Sequence, residues 1–82
     1  MRAKYIVIEV GGFEQPFVFS ELSQHADVAR ALAGVSAVVG AGFCYIGDNR
    51  YVCYGESISC NVKSRGDVDS KILNRLLGVD YD

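Results

Sequence analysis

The run from Phe43 to Gly55, FCYIGDNRYVCYG, constrains the fold of this chain more than any other segment. Its two halves alternate aromatic and β-branched residues around Gly47-Asp48-Asn49-Arg50, which is turn chemistry. With Asp48-Asn49 at the tip, Ile46 faces Tyr51, Tyr45 faces Val52, Cys44 faces Cys53, Phe43 faces Tyr54 and Gly42 faces Gly55. One face of this hairpin then carries Phe43, Tyr45, Val52 and Tyr54, and the other carries Cys44, Ile46, Tyr51 and Cys53. Neither face is polar, so the pair has to be covered twice. A chain of 82 residues has room for one small domain and one core. The expectation is therefore helices over one face and another subunit over the other.

The remaining elements follow from local pattern. KYIVIEV, residues 4–10, is a strand ended by Gly11-Gly12, and the extended run Pro16–Phe19 is its hairpin mate, with proline confined to a strand start or a sheet edge. In SELSQHADVARALAG, Ser20 or Ser23 serves as the cap. Val28, Ala29, Leu32 and Ala33 recur at helical spacing, and Gly34 stops the helix. Past Gly55 an alternation puts Ile58, Cys60 and Val62 inward. In DVDSKILNRLLG, Asp67 and Asp69 favour the helix N-terminus, while Val68, Ile72, Leu73, Leu76 and Leu77 form an apolar stripe. The order ββαββα, with no linker or repeat, predicts a single α+β domain over residues 1–82. Its four-stranded antiparallel sheet is expected to have both helices packed on one face.

Several motifs fail on context. VVGAGF, residues 38–43, looks like the start of a dinucleotide loop, yet Tyr45 stands where the third glycine belongs and a strand follows in place of a helix. Cys44, Cys53 and Cys60 are odd in number and lack the paired spacing of a zinc site, so they read as reduced thiols in a sheet core, with no metal and no cofactor expected. A Cys/His25 pair is the basis of a weaker enzyme reading, since nucleophilic catalysis needs the two within hydrogen-bond reach. Arg65-Gly66-Asp67 spells an adhesion tripeptide but reads as a loop and helix cap. A formal charge of −2 disfavours duplex nucleic acid, and no segment approaches the ~20 apolar residues of a membrane span.

Gln24–Ala29, Ala41-Gly42-Phe43, Cys53–Ser57, Lys63-Ser64-Arg65 and Asp67-Val68-Asp69 together resemble a group of short uncharacterised proteins encoded by tailed phages and prophages. The resemblance implies a cytoplasmic protein of an infected bacterium with an accessory role, and carries no activity with it. The expected function is non-enzymatic: binding and modulating a host protein, as a homodimer paired through the Cys44, Ile46, Tyr51 and Cys53 face. The alternative is a nucleotide-type small-ligand sponge, because arginine and tyrosine supply charge and stacking surface together. The residues expected to carry partner or ligand contacts are Ile46, Arg50, Tyr51, Tyr54 and Arg65.

Overall fold

A computed structural model describes residues 2–78; Met1 and residues 79–82, the ends of the expected domain, lie outside the described residues. The chain runs β1 (Arg2–Val10), β2 (Phe13–Phe19), α1 (His25–Leu32), a short 3-10 turn, β3 (Val38–Gly47), β4 (Arg50–Tyr54), β5 (Glu56–Ser57), β6 (Val62–Lys63) and α2 (Asp67–Leu76). The first four strands form one antiparallel sheet in the order β2-β1-β3-β4. Gly11 and Gly12, with φ of 61° and 86°, make the tight β1–β2 turn that both strands need. Asp48 and Asn49 take the same left-handed conformation at the β3–β4 tip, and four of the five expected pairs, from Ile46–Tyr51 to Phe43–Tyr54, are formed, while Gly55, at φ 82°, leaves the ladder before it can pair with Gly42. Pro16 sits within β2, an edge strand, as its missing N–H requires.

The helices pack on opposite faces of this sheet, which corrects the expectation of one face. Central strand β1 buries four consecutive residues, Tyr5 to Ile8, and their side chains alternate between two cores. Ile6 and Ile8 join Ala26 and Ala29 of α1, with Val38, Ala41 and Cys60. Tyr5 and Val7 join Leu73 of α2, with Cys44 and Cys53. A bulge at Val7/Ile8 leaves Val39 as an extra residue in β3, so Val38 faces α1 while Val39 packs on the α2 side. The physical reason for the correction is the continuous apolar run of β1, which requires a cover on each side. The face of Cys44 and Cys53, expected to meet a second subunit, is covered by α2 of the same chain.

Beyond Tyr54 the expected alternating strand is absent. Asn61 adopts φ 57°, residues 58–61 turn, and β5 pairs with β6 as a separate two-stranded ribbon lying against β3. Ser57 is buried and Ile58 is 87% exposed, the reverse of their expected sides, whereas Cys60 and Val62 face the α1 core as the alternation predicts. Ser57 is satisfied by the N–H of Cys60, which donates to its Oγ at 3.0 Å. Helix α1 lacks a cap of its own, and Ser59 of this turn supplies one by accepting the Ala26 N–H at 3.1 Å.

Helix α2 is seated by two devices. Asp69, fully buried, accepts from the Tyr5 hydroxyl, from the Arg65 backbone N–H at 2.9 Å and from Arg65 Nε at 2.8 Å. Arg65 also reaches Glu14 Oε1 at 2.7 Å, which ties α2 to β2. Gly40 makes room for this carboxylate, because a Cβ there would lie 2.7 Å from Asp69 Oδ1. Along the outer edge of β4, Asn74 Oδ1 accepts the Tyr51 N–H at 2.7 Å and its amide donates to the Tyr51 carbonyl at 3.1 Å. Ser70, one turn earlier, accepts the Cys53 N–H at 2.8 Å. The helix thus stands in for the next strand of the sheet.

Candidate functional site

Helix α1 covers only part of its face of the sheet. The register puts Arg2, Lys4, Phe43, Tyr45, Val52 and Tyr54 on that same face, at the end α1 does not reach. Tyr45, Val52 and Tyr54 are 53%, 50% and 40% exposed. Phe43 stacks on Tyr54 with ring centroids 6.0 Å apart, and the Arg2 guanidinium lies 4.4 Å from the Phe43 centroid. Arg2 is oriented by Glu21, which accepts from its Nε at 2.9 Å. Beside the stack a groove of about 470 Å³ opens between β3–β4, the start of α1 and the β5–β6 turn, with Lys4, His25, Glu56, Ile58 and Ser59 in its wall.

His25 forms the floor of that groove and is 4% exposed. Its Nε2–H donates to the Gly42 carbonyl at 2.8 Å, and its ring meets Phe19 and Phe43 edge to face. Burial lowers its pKa, the bond to Gly42 opposes that shift, and nearby Lys4 adds to it. A neutral His25 is therefore favoured in the fold, while the unfolded chain takes up a proton below its ordinary pKa of 6.5. Stability is complete above that value and declines as the pH falls below it. The urea midpoint should drop between about pH 7 and pH 5, and His25→Gln should flatten that drop. Equal slopes in both proteins would remove His25 as the cause. The Glu14 carboxyl, held low by Arg65, contributes a separate loss only below its ordinary 4.5.

The five residues expected to share a contact surface do not come together. Tyr51 packs toward Leu73, and Ile46, its half-buried cross-strand mate, lies on the same face of the sheet. Tyr54 is on the opposite face, in the aromatic stack. Arg50 is exposed at the β3–β4 turn. Arg65 is engaged by Glu14 and Asp69, which gives it a structural role in seating α2. Of the cysteines expected as partners of His25, Cys44 and Cys53 lie on the α2 side of the sheet, whereas Cys60 shares the α1 core; the His25 ring itself bonds to the Gly42 carbonyl. All three cysteines are free and buried. Burial pushes the Cys44 thiol up to about 12 and Cys53 to about 11, which suppresses the thiolate.

Sequence reasoning did not single out Arg2, Lys4, Lys71, Asn74 or Arg75. Lys71 and Arg75 stand one helical turn apart in α2, and they line a second groove together with Asp48, Asn49, Arg50 and Asn74. Their spacing was the available signal. Among the described residues no group of three or more His, Cys, Asp or Glu is placed to hold a metal, and no helix is long and apolar enough to cross a membrane. Compared with known proteins, the chain matches no family model, and no curated protein or solved structure is significantly similar to it.

Proposed function

We propose that this chain is a non-enzymatic binding protein, a phage-type accessory factor that docks on a host protein through the open sheet face of Tyr45, Val52 and Tyr54. The supporting observation is that three large side chains stand exposed side by side on one strand pair, in a domain that closes the other face and the neighbouring β4 edge. Contiguous apolar surface of this kind is the usual mark of an interaction site, and aromatic residues dominate the energetics of such contacts. The groove beside the patch carries Arg2 and Lys4 as well as Glu56. Both charge signs are thus available, which suits isologous pairing about a two-fold axis. The homodimer therefore uses this same face, and self-association competes with host-protein binding for the same side chains.

Val52→Asp should weaken self-association by about 1–3 kcal/mol, because the new carboxylate would be desolvated in the contact. Sedimentation velocity over a concentration series reads this directly. Val68→Asp is the control, since Val68 is equally exposed but lies on α2. The reading stands if Val52→Asp alone yields monomers and also abolishes retention of a host protein held by the unaltered chain. It falls if the unaltered chain is monomeric and retains no protein, or if the two variants behave alike.

A further inference from the structure

The eight basic side chains of this protein divide into two groups. Arg2 pairs with Glu21, Lys4 donates to the Ser23 carbonyl, Arg30 pairs with Asp27, and Arg65 pairs with Glu14 and Asp69. Arg50, Lys63, Lys71 and Arg75 have no partner among the described residues. Three of these four line one groove of about 470 Å³ between the β3–β4 turn and α2, where the only acidic side chain among the described residues is Asp48. In an acidic chain, unpaired cations gathered in one concavity are a local reversal of the overall charge. The helix dipole accounts for a basic residue in the last turn, which is Arg75, but not for Arg50, which comes from a strand.

The positions of the three cations are fixed by structure already in place. Asn74 uses both its carbonyl and its amide on the Tyr51 backbone, so α2 is locked to β4 at the residue between Lys71 and Arg75 and next to Arg50. The turn that carries Arg50 is a two-residue left-handed one, the tightest available hairpin connection. The supports are thus preorganised, and a ligand has mainly the side-chain tips to order.

We infer that this groove binds a short phosphate-bearing anion, a diphosphate or phosphate ester, gripped by Arg50, Lys71 and Arg75. Two arginines provide forked donors for phosphate oxygens, and the lysine adds a compact charge. Among the described residues no aromatic side chain lines the groove, so a nucleobase finds no stacking surface there and the phosphates carry recognition. A long polyanion is disfavoured because the charge of the whole chain is −2 and the cationic cluster is confined to this one groove. The site is separate from the aromatic face proposed above, so either can fail without the other.

Inorganic pyrophosphate is the probe, titrated into 15N-labelled protein at low and at physiological salt. Saturable shifts should concentrate on the amides of residues 48–50 and 71–75, and salt should weaken the binding. Lys71→Ala should reduce affinity roughly tenfold, the equivalent of one charge-assisted hydrogen bond, and the triple change of Arg50, Lys71 and Arg75 to alanine should abolish saturation. The same spectra show whether each variant is folded, and Lys71→Gln serves if the triple variant is not. A nucleoside diphosphate should bind within about threefold of pyrophosphate, a difference below ~1 kcal/mol, if the base adds nothing. The assignment is overturned by non-saturating shifts, by shifts centred on Arg2 and Lys4, by binding that survives the triple change, or by a nucleoside diphosphate or single-stranded oligonucleotide that binds where pyrophosphate does not.

Discussion

Asp69→Ala is expected to remove a large share of the stability of this domain. The Asp69 carboxylate is fully buried and accepts from Tyr5, from the Arg65 backbone and from the Arg65 guanidinium. Its loss leaves a backbone N–H and part of a guanidinium without acceptors, and leaves the Tyr5 hydroxyl with Ser64 Oγ, 2.7 Å away, as its remaining partner. Breaking a buried pair by deleting one partner costs about 3–5 kcal/mol. At roughly 0.05–0.15 kcal/mol per residue, a chain of this length holds only about 4–12 kcal/mol in total. Burial, reinforced by the bond to Asp69, already holds the Tyr5 hydroxyl protonated far above its ordinary range, so Tyr5 is a committed donor. Urea unfolding followed by circular dichroism checks the size of the loss, and a change below about 1 kcal/mol would mean that water replaces the carboxylate without penalty. Gly40 supplies the second half of the experiment. Gly40→Ala should itself destabilise, because its Cβ would sit 2.7 Å from Asp69 Oδ1, but much of that penalty should vanish when Asp69 is already alanine. Additive effects in this cycle would separate the two residues energetically.

Leu73→Ala should cost about 2–5 kcal/mol, the usual range for emptying a fully buried leucine site. Leu73 is the one apolar residue of α2 with no exposure, while Val68, Leu76 and Leu77 are exposed. The helix is therefore fastened by one fully buried apolar anchor, the partly buried Ile72 beside it, and its polar contacts. The specific consequence is chemical as well as thermodynamic. Cys44 and Cys53 share the Leu73 core, so loosening α2 should raise their alkylation rates under native conditions, while Cys60, in the α1 core, should change less. Mass spectrometry of site-resolved labelling distinguishes this from global unfolding, in which all three thiols would accelerate together.

The β3–β4 hairpin was legible in the sequence down to its register, because Asp48-Asn49 tolerates the left-handed turn and every neighbour alternates. The sides taken by the helices were not, although the signal lay in β1: Tyr5-Ile6-Val7-Ile8 has no polar face, and such a strand asks for cover on both sides. Reading two amphipathic helices against a one-sided pattern at residues 58–62 gave the wrong layer arrangement. That pattern holds at Cys60 and Val62 but fails at Ile58, because residues 58–61 turn the chain and alternation in sequence cannot register a residue of positive φ. Asp69 misled for a similar reason. An acidic residue in the first turn of a helix is usually solvated there, and its burial depends on Gly40 and Arg65, far from it along the chain or engaged by long-range packing. Of the residues expected to form a contact surface, only Tyr54 lies on the open aromatic face and only Arg50 in the cationic groove. Ile46 and Tyr51 were assigned by strand face, which depended on where α2 would dock, and Arg65 by its charge, which Glu14 and Asp69 engage.

The clamp of Ser70 and Asn74 on β4 bears on how the chain is made. During synthesis all strands precede α2, so a ribosome releases the sheet before its closing helix. For that interval β4 presents the unpaired N–H of Tyr51 and Cys53 and the thiol-lined face beneath, which is the template that promiscuous strand pairing requires. A slow or truncated finish would leave an adhesive intermediate, and the two small polar side chains on α2 decide whether the newborn chain matures alone or sticks to its neighbours.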